Sequence, residues 1–342
     1  MIDSVRRRVE QGDLFKRDAP VVIAFSGGVD SRVLLDVLCQ LAPDFGWRVI
    51  AAHLDHEWRT TSAIEADWCA QVAREHGIDF ELAQYAQYCA QNPQLATFVD
   101  TVGSAEAQAR TVRYHFLRSV AQKNGAQCIA LAHHLDDQIE TFFIRLIRGA
   151  GLEGLAGMQQ ASTLFGQCGV SDQVRLVRPF LTVADKAKLT EYARDCGFIW
   201  IEDPTNQDEA YLRSCIRRRV MPALVECDQR ALGGIERAMR HMAEAHVFVE
   251  QYVRAVFERG RRVDEYGHVW VSLALFDQES LFIQKQILLF WLCWEQVSFT
   301  PSEALYNEIL RFLCGRITGE HILYGKWKIV CKKGWATITS LE

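Results

Sequence analysis

Residues Val21 to Leu38 read VVIAFSGGVDSRVLLDVL, and the order of residue types in this stretch decides the fold. Val21 to Phe25 is a short apolar run rich in β-branched residues, which predicts a strand covered on both faces. Val33, Leu34, Val37 and Leu38 recur at the spacing of one apolar helix face, so a helix follows. Between them Gly27 and Gly28 allow dihedrals and a backbone approach that a Cβ would forbid. The turn therefore presents N–H groups at a helix N-terminus, where an anion binds. A bare Gly-Gly pair would point mainly to an ordinary strand-turn-helix junction. Ser26, Asp30 and Ser31 place three polar groups around one turn, more than capping requires, and favour a phosphate ligand.

The loop lacks the lysine followed by Ser or Thr that the P-loop of kinases and GTPases needs, since Ser31 is followed by Arg32. Instead SGGVDS, Ser26 to Ser31, resembles the PP-loop of the N-type ATP pyrophosphatases. That resemblance implies that Ser26, Gly27, Gly28, Val29, Asp30 and Ser31 hold the pyrophosphate of ATP, with His53 at the same nucleotide site. It also implies cleavage between the α- and β-phosphates, leaving an adenylate on the substrate.

Outward from the loop, strands and helices alternate. Arg48–Asp55, Ile78–Leu82, Gln127–Ala132 and Val174–Val177 read as strands. Ser62–His76, Ser104–Asn124 and Ala184–Cys196 read as helices, and the N-terminal MIDSVRRRVEQGDLF as a short amphipathic helix. Such alternation predicts an α/β fold, a doubly wound parallel sheet whose ligand sits beyond the carboxyl ends of the strands. Two further polar signatures leave strands there: HLDHEWR, His53 to Arg59, and AHHLDDQIET, Ala132 to Thr141. Asp136 and Asp137 have three readings from the residues alone: caps of the following helix, ligands of a divalent metal, or partners of a substrate ammonium. Gly149–Met158, GAGLEGLAGM, reads as a loop or mobile lid.

A turn at Asp203-Pro204 leads into a basic helix that stops near Pro222, and the domain boundary is placed there, giving domains 1–222 and 223–342. The second is smaller, α+β and mainly helical: Ala231–Arg259, Leu281–Gln296 and Pro301–Cys314 as helices, then a β-meander over Ile322–Ile338.

The chain of 342 residues is long enough for two domains, and 49% apolar residues supply their cores. Its net charge of −5 excludes a general polyanion binder. Locally, Arg213, Arg217, Arg218 and Arg219 lie in a stretch without acidic residues, compatible with nucleic acid or with a solvated helix face. Eleven cysteines are scattered without a CxxC pair or zinc spacing, which points to reduced thiols and a cytoplasmic protein. Leu281–Trp294 is too short and too interrupted to span a bilayer, so no membrane is expected.

Without CxxC spacing the chain does not fit the cysteine-dependent thiolating enzymes, and Ile2 rules out a fused glutaminase with Cys at position 2. Beyond the loop, the ordered set His53–His56, EAQARTVRY (Glu106 to Tyr114), AHHLDDQIET, LIRGAGLEGLAGM, RPFL and DPTN followed by YLRSCIR is similar to the tRNA lysidine synthetases. Ser214 departs from the Asn of that family's R-N-x-x-R pattern. The resemblance covers most of the chain, which ends where longer members continue into a second C-terminal domain.

It implies adenylation of the wobble cytidine of a tRNA(Ile) with anticodon CAU, then displacement of AMP by free L-lysine, with ATP and Mg²⁺ required. His133, Asp137 and Arg113 become candidate catalytic residues, and His133 as general base stands beside its reading as a core or capping histidine. Asp136, Asp137 and Glu140 become candidates for lysine or Mg²⁺, and Arg213, Arg217, Arg218 and Arg219 for tRNA. A homodimer is compatible with the chain. Another PP-loop ligase, or a non-catalytic nucleotide-binding module, remains the alternative.

Overall fold

The computed structural model describes residues 1–12, 14–95, 104–163, 174–202, 212–297, 299, 302–315, 318–323 and 326–341. The described chain divides into two compact units, Met1–Met239 and Arg240–Glu342.

The first unit is built on a six-stranded sheet ordered β3-β2-β1-β4-β6-β5. Its strands are β1 (Pro20–Ala24), β2 (Arg48–Asp55), β3 (Asp79–Gln84), β4 (Cys128–Ala130), β5 (Ala161–Thr163) and β6 (Arg175–Val177). All neighbours pair parallel except β5 with β6. Val21, Val22 and Ile23 of β1 have no exposed surface, as a strand covered on both faces requires. Val21 and Ile23 belong to the core under the helix Val29–Phe45, and Val22 to the core under the helix Ala105–Lys123. Because β1 has β2 on one side and β4 on the other, the strand order reverses between β1 and β4. Beyond their carboxyl ends lies the crevice in which doubly wound sheets bind ligands.

The antiparallel β5 was not expected, being three residues without a clear period. GAGLEGLAGM is loop apart from one short turn of helix. Leu152–Leu155 forms one helical turn, and Arg145 Nη1 donates to the carbonyls of Gly154 (2.8 Å) and Gly157 (3.0 Å). The Gln138 amide closes the segment by bonding Met158 N (2.6 Å) and Met158 O (2.7 Å).

The basic segment continues as Leu212–Cys215, a π-turn at Ile216–Val220 and the helix Met221–Cys227. Ile216 and Met221 pack on Ile139 with Leu232 and Ile235 beside them, so the first unit runs past residue 222 to Met239, inside the helix Ala231–Gly260. The expected turn at Asp203-Pro204 lies outside the described residues.

The second unit carries an antiparallel sheet ordered β7-β8-β11-β10-β9: β7 (Arg261–Val263), β8 (Val269–Ser272), β9 (Gly319–Ile322), β10 (Trp327–Lys332) and β11 (Trp335–Ser340). The expected terminal meander thus gains β7 and β8. Lys333 and Gly334, both at positive φ (50° and 79°), form the tight turn between β10 and β11. The helices Leu281–Trp294 and Glu303–Cys314 complete a core centred on Trp291, Phe257 and Phe276.

Candidate functional site

After β1 the chain turns through Ser26, Gly27 and Gly28 into the helix that starts at Val29. Phe25 N still donates to Ala52 O at 2.9 Å, so the turn begins anchored to β2. Ser31 Oγ donates to Gly28 O (2.9 Å) and accepts from Ser26 N (3.2 Å), with Ser26 Oγ 3.1 Å away. The hydroxyls therefore shape the loop from inside. Gly27 holds φ +82°, a conformation that side chains resist, and a Cβ there would fall 2.5 Å from Ile201 Cδ1. Gly28, at φ −68°, has no such need. Ile201 N also donates to Gly27 O at 3.0 Å. Sequence reading missed this cover, which returns after β6.

His53, at the end of β2, is buried and places Nδ1 2.8 Å from Phe25 O, bracing the start of the turn. Burial pushes its imidazole below the ordinary value. Three residues on, His56 stacks on the exposed Trp58 (5.1 Å between centroids), and burial with the nearby charges of Arg113 and His53 pushes it down to about 4.

Across the crevice, AHHLDD leaves β4 and enters the helix Leu135–Ile147. The structure separates its residues. Asp137 Oδ2 accepts from His134 N at 3.0 Å, so the capping reading holds for this carboxylate. Asp136 Oδ2 accepts from Lys186 N at 2.9 Å. His134, not His133, faces the loop: its Nε2 lies 3.7 Å from Asp30 and 3.5 Å from Asp137. Burial lowers His134, yet Asp30, Asp137 and Asp136 together raise it above its ordinary value. Lys186 Nζ sits 2.8 Å from both Asp30 oxygens. Burial pushes the Asp30 carboxyl up, and His134 and Lys186 outweigh it and hold it low. Lys186 escaped the sequence reading, although it opens the first turn of a helix capped by Asp185 just after RPFL.

His133 stands on the other side, with a buried Nδ1 that has no partner among the described residues. Burial, with the charges of Arg178, Arg110 and Arg213, takes it down to about 3 against the pull of Asp137. Its surroundings thus favour the neutral imidazole. Arg178 is buried, donates to Gln159 O (2.8 Å) and Ser162 Oγ (3.1 Å), and has an Nε without a partner among the described residues. Arg110 donates to Tyr114 Oη (3.1 Å), and Arg113 lies 5.6 Å from the same ring. This flank of the crevice is strongly cationic.

Glu140, one turn beyond Asp137, has no exposed surface. It accepts from Arg213 Nε (2.6 Å) and from Arg217 Nε (2.5 Å) and Nη2 (3.2 Å), while Arg213 Nη2 reaches Asp137 Oδ1 at 2.5 Å. Two of the four arginines assigned to tRNA are thus engaged with carboxylates of the same unit. Arg218 and Arg219 are exposed. Among the described residues no group of three or more His, Cys, Asp or Glu is arranged to hold a metal ion, every described cysteine is a free thiol, and no helix is long and apolar enough to cross a membrane.

Residues 2–224 match the family model of the PP-loop domain. The chain is similar to proteins named tRNA(Ile)-lysidine synthase. It is 34% identical over 297 residues to that of Legionella pneumophila (strain Lens), covering 86% of this chain and 62% of the relative. It is 35% identical over 266 residues to that of Methylococcus capsulatus, covering 78% and 55%. The chain thus spans about six tenths of the length of the curated relatives it matches. Among solved structures, the U34-tRNA thiolase NcsA of Methanococcus maripaludis superposes with a TM-score of 0.57 at 18% identity, over 71% of this chain and 80% of the thiolase, a likeness of fold.

Proposed function

Because the chain belongs to the PP-loop domain family, we propose that it is an ATP-dependent tRNA ligase that joins free L-lysine to C2 of the wobble cytidine of a tRNA(Ile) with anticodon CAU. The product is lysidine, which moves decoding from AUG to AUA. The observation that carries the reading is the covered, left-handed turn at Gly27, with Ser31 folded inside it and Lys186 beside Asp30. Similarity to relatives named tRNA(Ile)-lysidine synthase supports the choice of substrate.

The chemistry runs in two halves. The cytidine O2 attacks the α-phosphorus of ATP, the bond between α- and β-phosphate breaks, and pyrophosphate leaves. The lysine ε-amine then attacks C2, the C2–O2 bond breaks, AMP leaves with O2, and the amine sheds a proton. N–H groups of the turn and the helix N-terminus hold the departing pyrophosphate. Lys186 Nζ can swing from Asp30 onto a phosphate oxygen. Neutral His133, its Nδ1 without a partner among the described residues, can accept a proton once phosphate charge offsets the neighbouring arginines. Asp30, the carboxylate of the loop, would be the residue to meet a Mg²⁺ brought with the nucleotide, where the ion would offset phosphate charge.

Pyrophosphate release from ATP, measured with tRNA and lysine together and with each omitted, tests the reading. Release with tRNA alone and lysine incorporation with both are expected. Release that ignores tRNA would make the chain a small-molecule ligase, and ATP binding without release a nucleotide-binding module.

A further inference from the structure

Two pairs of residues join the helix Lys186–Asp195 to the helix Val29–Phe45 at the same offset. Lys186 Nζ lies 2.8 Å from both Asp30 oxygens, and Tyr192 Oη donates to Asp36 Oδ2 at 2.9 Å. In each pair the partners are 156 positions apart. The two helices therefore run in the same direction and in register, with rungs about 9 Å apart along them.

The rungs are unlike. The first is open to solvent, the Lys186 side chain keeping 47% of its surface, and an ion pair in such a setting holds a helix weakly. The second is enclosed. Asp36 is buried and also accepts from Gln40 Nε2 at 2.7 Å, with His76 Nε2 3.7 Å from its other oxygen. Burial pushes the Asp36 carboxyl up, and His76, Tyr192 and Gln40 outweigh it and hold it low. It is an ionised acceptor, to which hydrogen bonds are strong. Arg32, which follows Ser31 of the loop, is buried beside it, 3.9 Å from the centre of the Phe198 ring and with Nη1 3.5 Å from His76 Nε2. Leu189 and Ala193 press the helix Lys186–Asp195 onto the core, but apolar contact has no direction. The position of that helix along its neighbour falls to the buried rung.

We propose that Tyr192 and Asp36 are positioning residues for the PP-loop: their bond sets the register of the two helices, and through it the place of Lys186 Nζ beside Asp30. Farther along the same segment Phe198 meets Arg32 and Ile201 covers Gly27, so a slip at Tyr192 reaches the loop from both sides. The inference rests on the ligase reading above for the role of Lys186 toward phosphate, and deepens it.

The test uses the full chain and Tyr192→Phe, which removes a hydroxyl and keeps the ring. Acylation of Lys186 by acetic anhydride without nucleotide, read by mass spectrometry, reports its pairing with Asp30. It should rise in Tyr192→Phe to the level of Asp30→Asn, while acylation of the exposed Lys188 on the same helix stays as in the wild type. Unchanged labelling of Lys186, or a rise shared equally by Lys188, overturns the proposal. Titration with ATP reads the consequence. Tyr192→Phe should weaken ATP binding about tenfold, and by less than about twofold in a Lys186→Met background, because both changes remove the same contact. Equal losses in the two backgrounds, or no loss in Tyr192→Phe, also overturn it and leave a bond that only supports the fold. A wild type that binds no ATP defeats the ligase reading instead, and the labelling of Lys186 then decides the register role by itself.

Discussion

Ile201 and Gly27 hold each other: the Ile201 N–H donates to Gly27 O at 3.0 Å, and the isoleucine side chain occupies the space a Gly27 Cβ would need. The shape of the PP-loop therefore depends on a residue that joins it only after the whole sheet has been traced.

A Gly27→Ala change must strain a backbone at φ +82° and also push Ile201 aside. It should cost about 1–3 kcal/mol and abolish pyrophosphate release. Gly28→Ala meets nothing nearer than 3.7 Å and should leave the melting temperature almost unchanged, losing activity only through its approach to phosphate. Thermal melts of both variants beside the release assay check the contrast, and equal melting temperatures would refute it.

Removing Arg213 or Arg217 alone leaves Glu140 one guanidinium, whereas Arg213→Ala with Arg217→Ala leaves a fully buried carboxylate unpaired. The double variant should lose about 3–5 kcal/mol, more than the sum of the single variants. Urea unfolding of the four proteins measures the coupling. Strict additivity would contradict the shared site.

The histidines give stability two opposite pH limbs. His134 is raised above 6.5 on folding, so its contribution is whole below pH 6.5 and is lost as pH climbs through the raised value. His133 is held at about 3, so its contribution is whole above pH 6.5 and is lost as pH falls from 6.5 toward 3. Asp30 and Asp137, both lowered, add to the acid limb below their ordinary 3.8. His134→Gln should flatten the decline of melting temperature above pH 6.5, and His133→Gln part of the decline below it. Curves parallel to wild type in both ranges would remove these assignments.

Arg218 and Arg219 are exposed on the basic turn, whereas Arg217 is engaged with Glu140. Arg218→Gln with Arg219→Gln should weaken tRNA binding and lower the slope of log affinity against log salt by about 1–2, with ATP turnover in saturating tRNA unchanged. Filter binding across a salt series checks it. Arg217→Gln should instead lower stability through Glu140.

The parallel sheet was legible because its signals are local. Arg48–Asp55 alternates with nothing and is buried almost throughout, and the SGGVDS turn names its own neighbours. Sequence spacing also shows Asp137 and Glu140 one turn apart, and Arg213 and Arg217 four residues apart. What it hides is that these two pairs face one another, since no period links helices more than 70 residues apart. Lys186 with Asp30, 156 positions away, is hidden for the same reason. The short β5, β7 and β8 were missed because three or four residues are too few to establish a period.

The pairing of β1 with β4 has a consequence in time. Val22 pairs with Ile129 and Ile23 with Ala130, so the two banks of the crevice are joined across roughly a hundred residues of intervening chain. Such a closure is slow compared with forming a hairpin. During synthesis the PP-loop leaves the ribosome long before the segment carrying His134 and Asp137 exists to face it. A nascent chain halted at residue 125 has β2 and β3 with which to begin the sheet but lacks the second bank. Capture of ATP by stalled chains of increasing length should therefore begin abruptly, once Lys186 and then Ile201 have emerged, rather than grow with each strand.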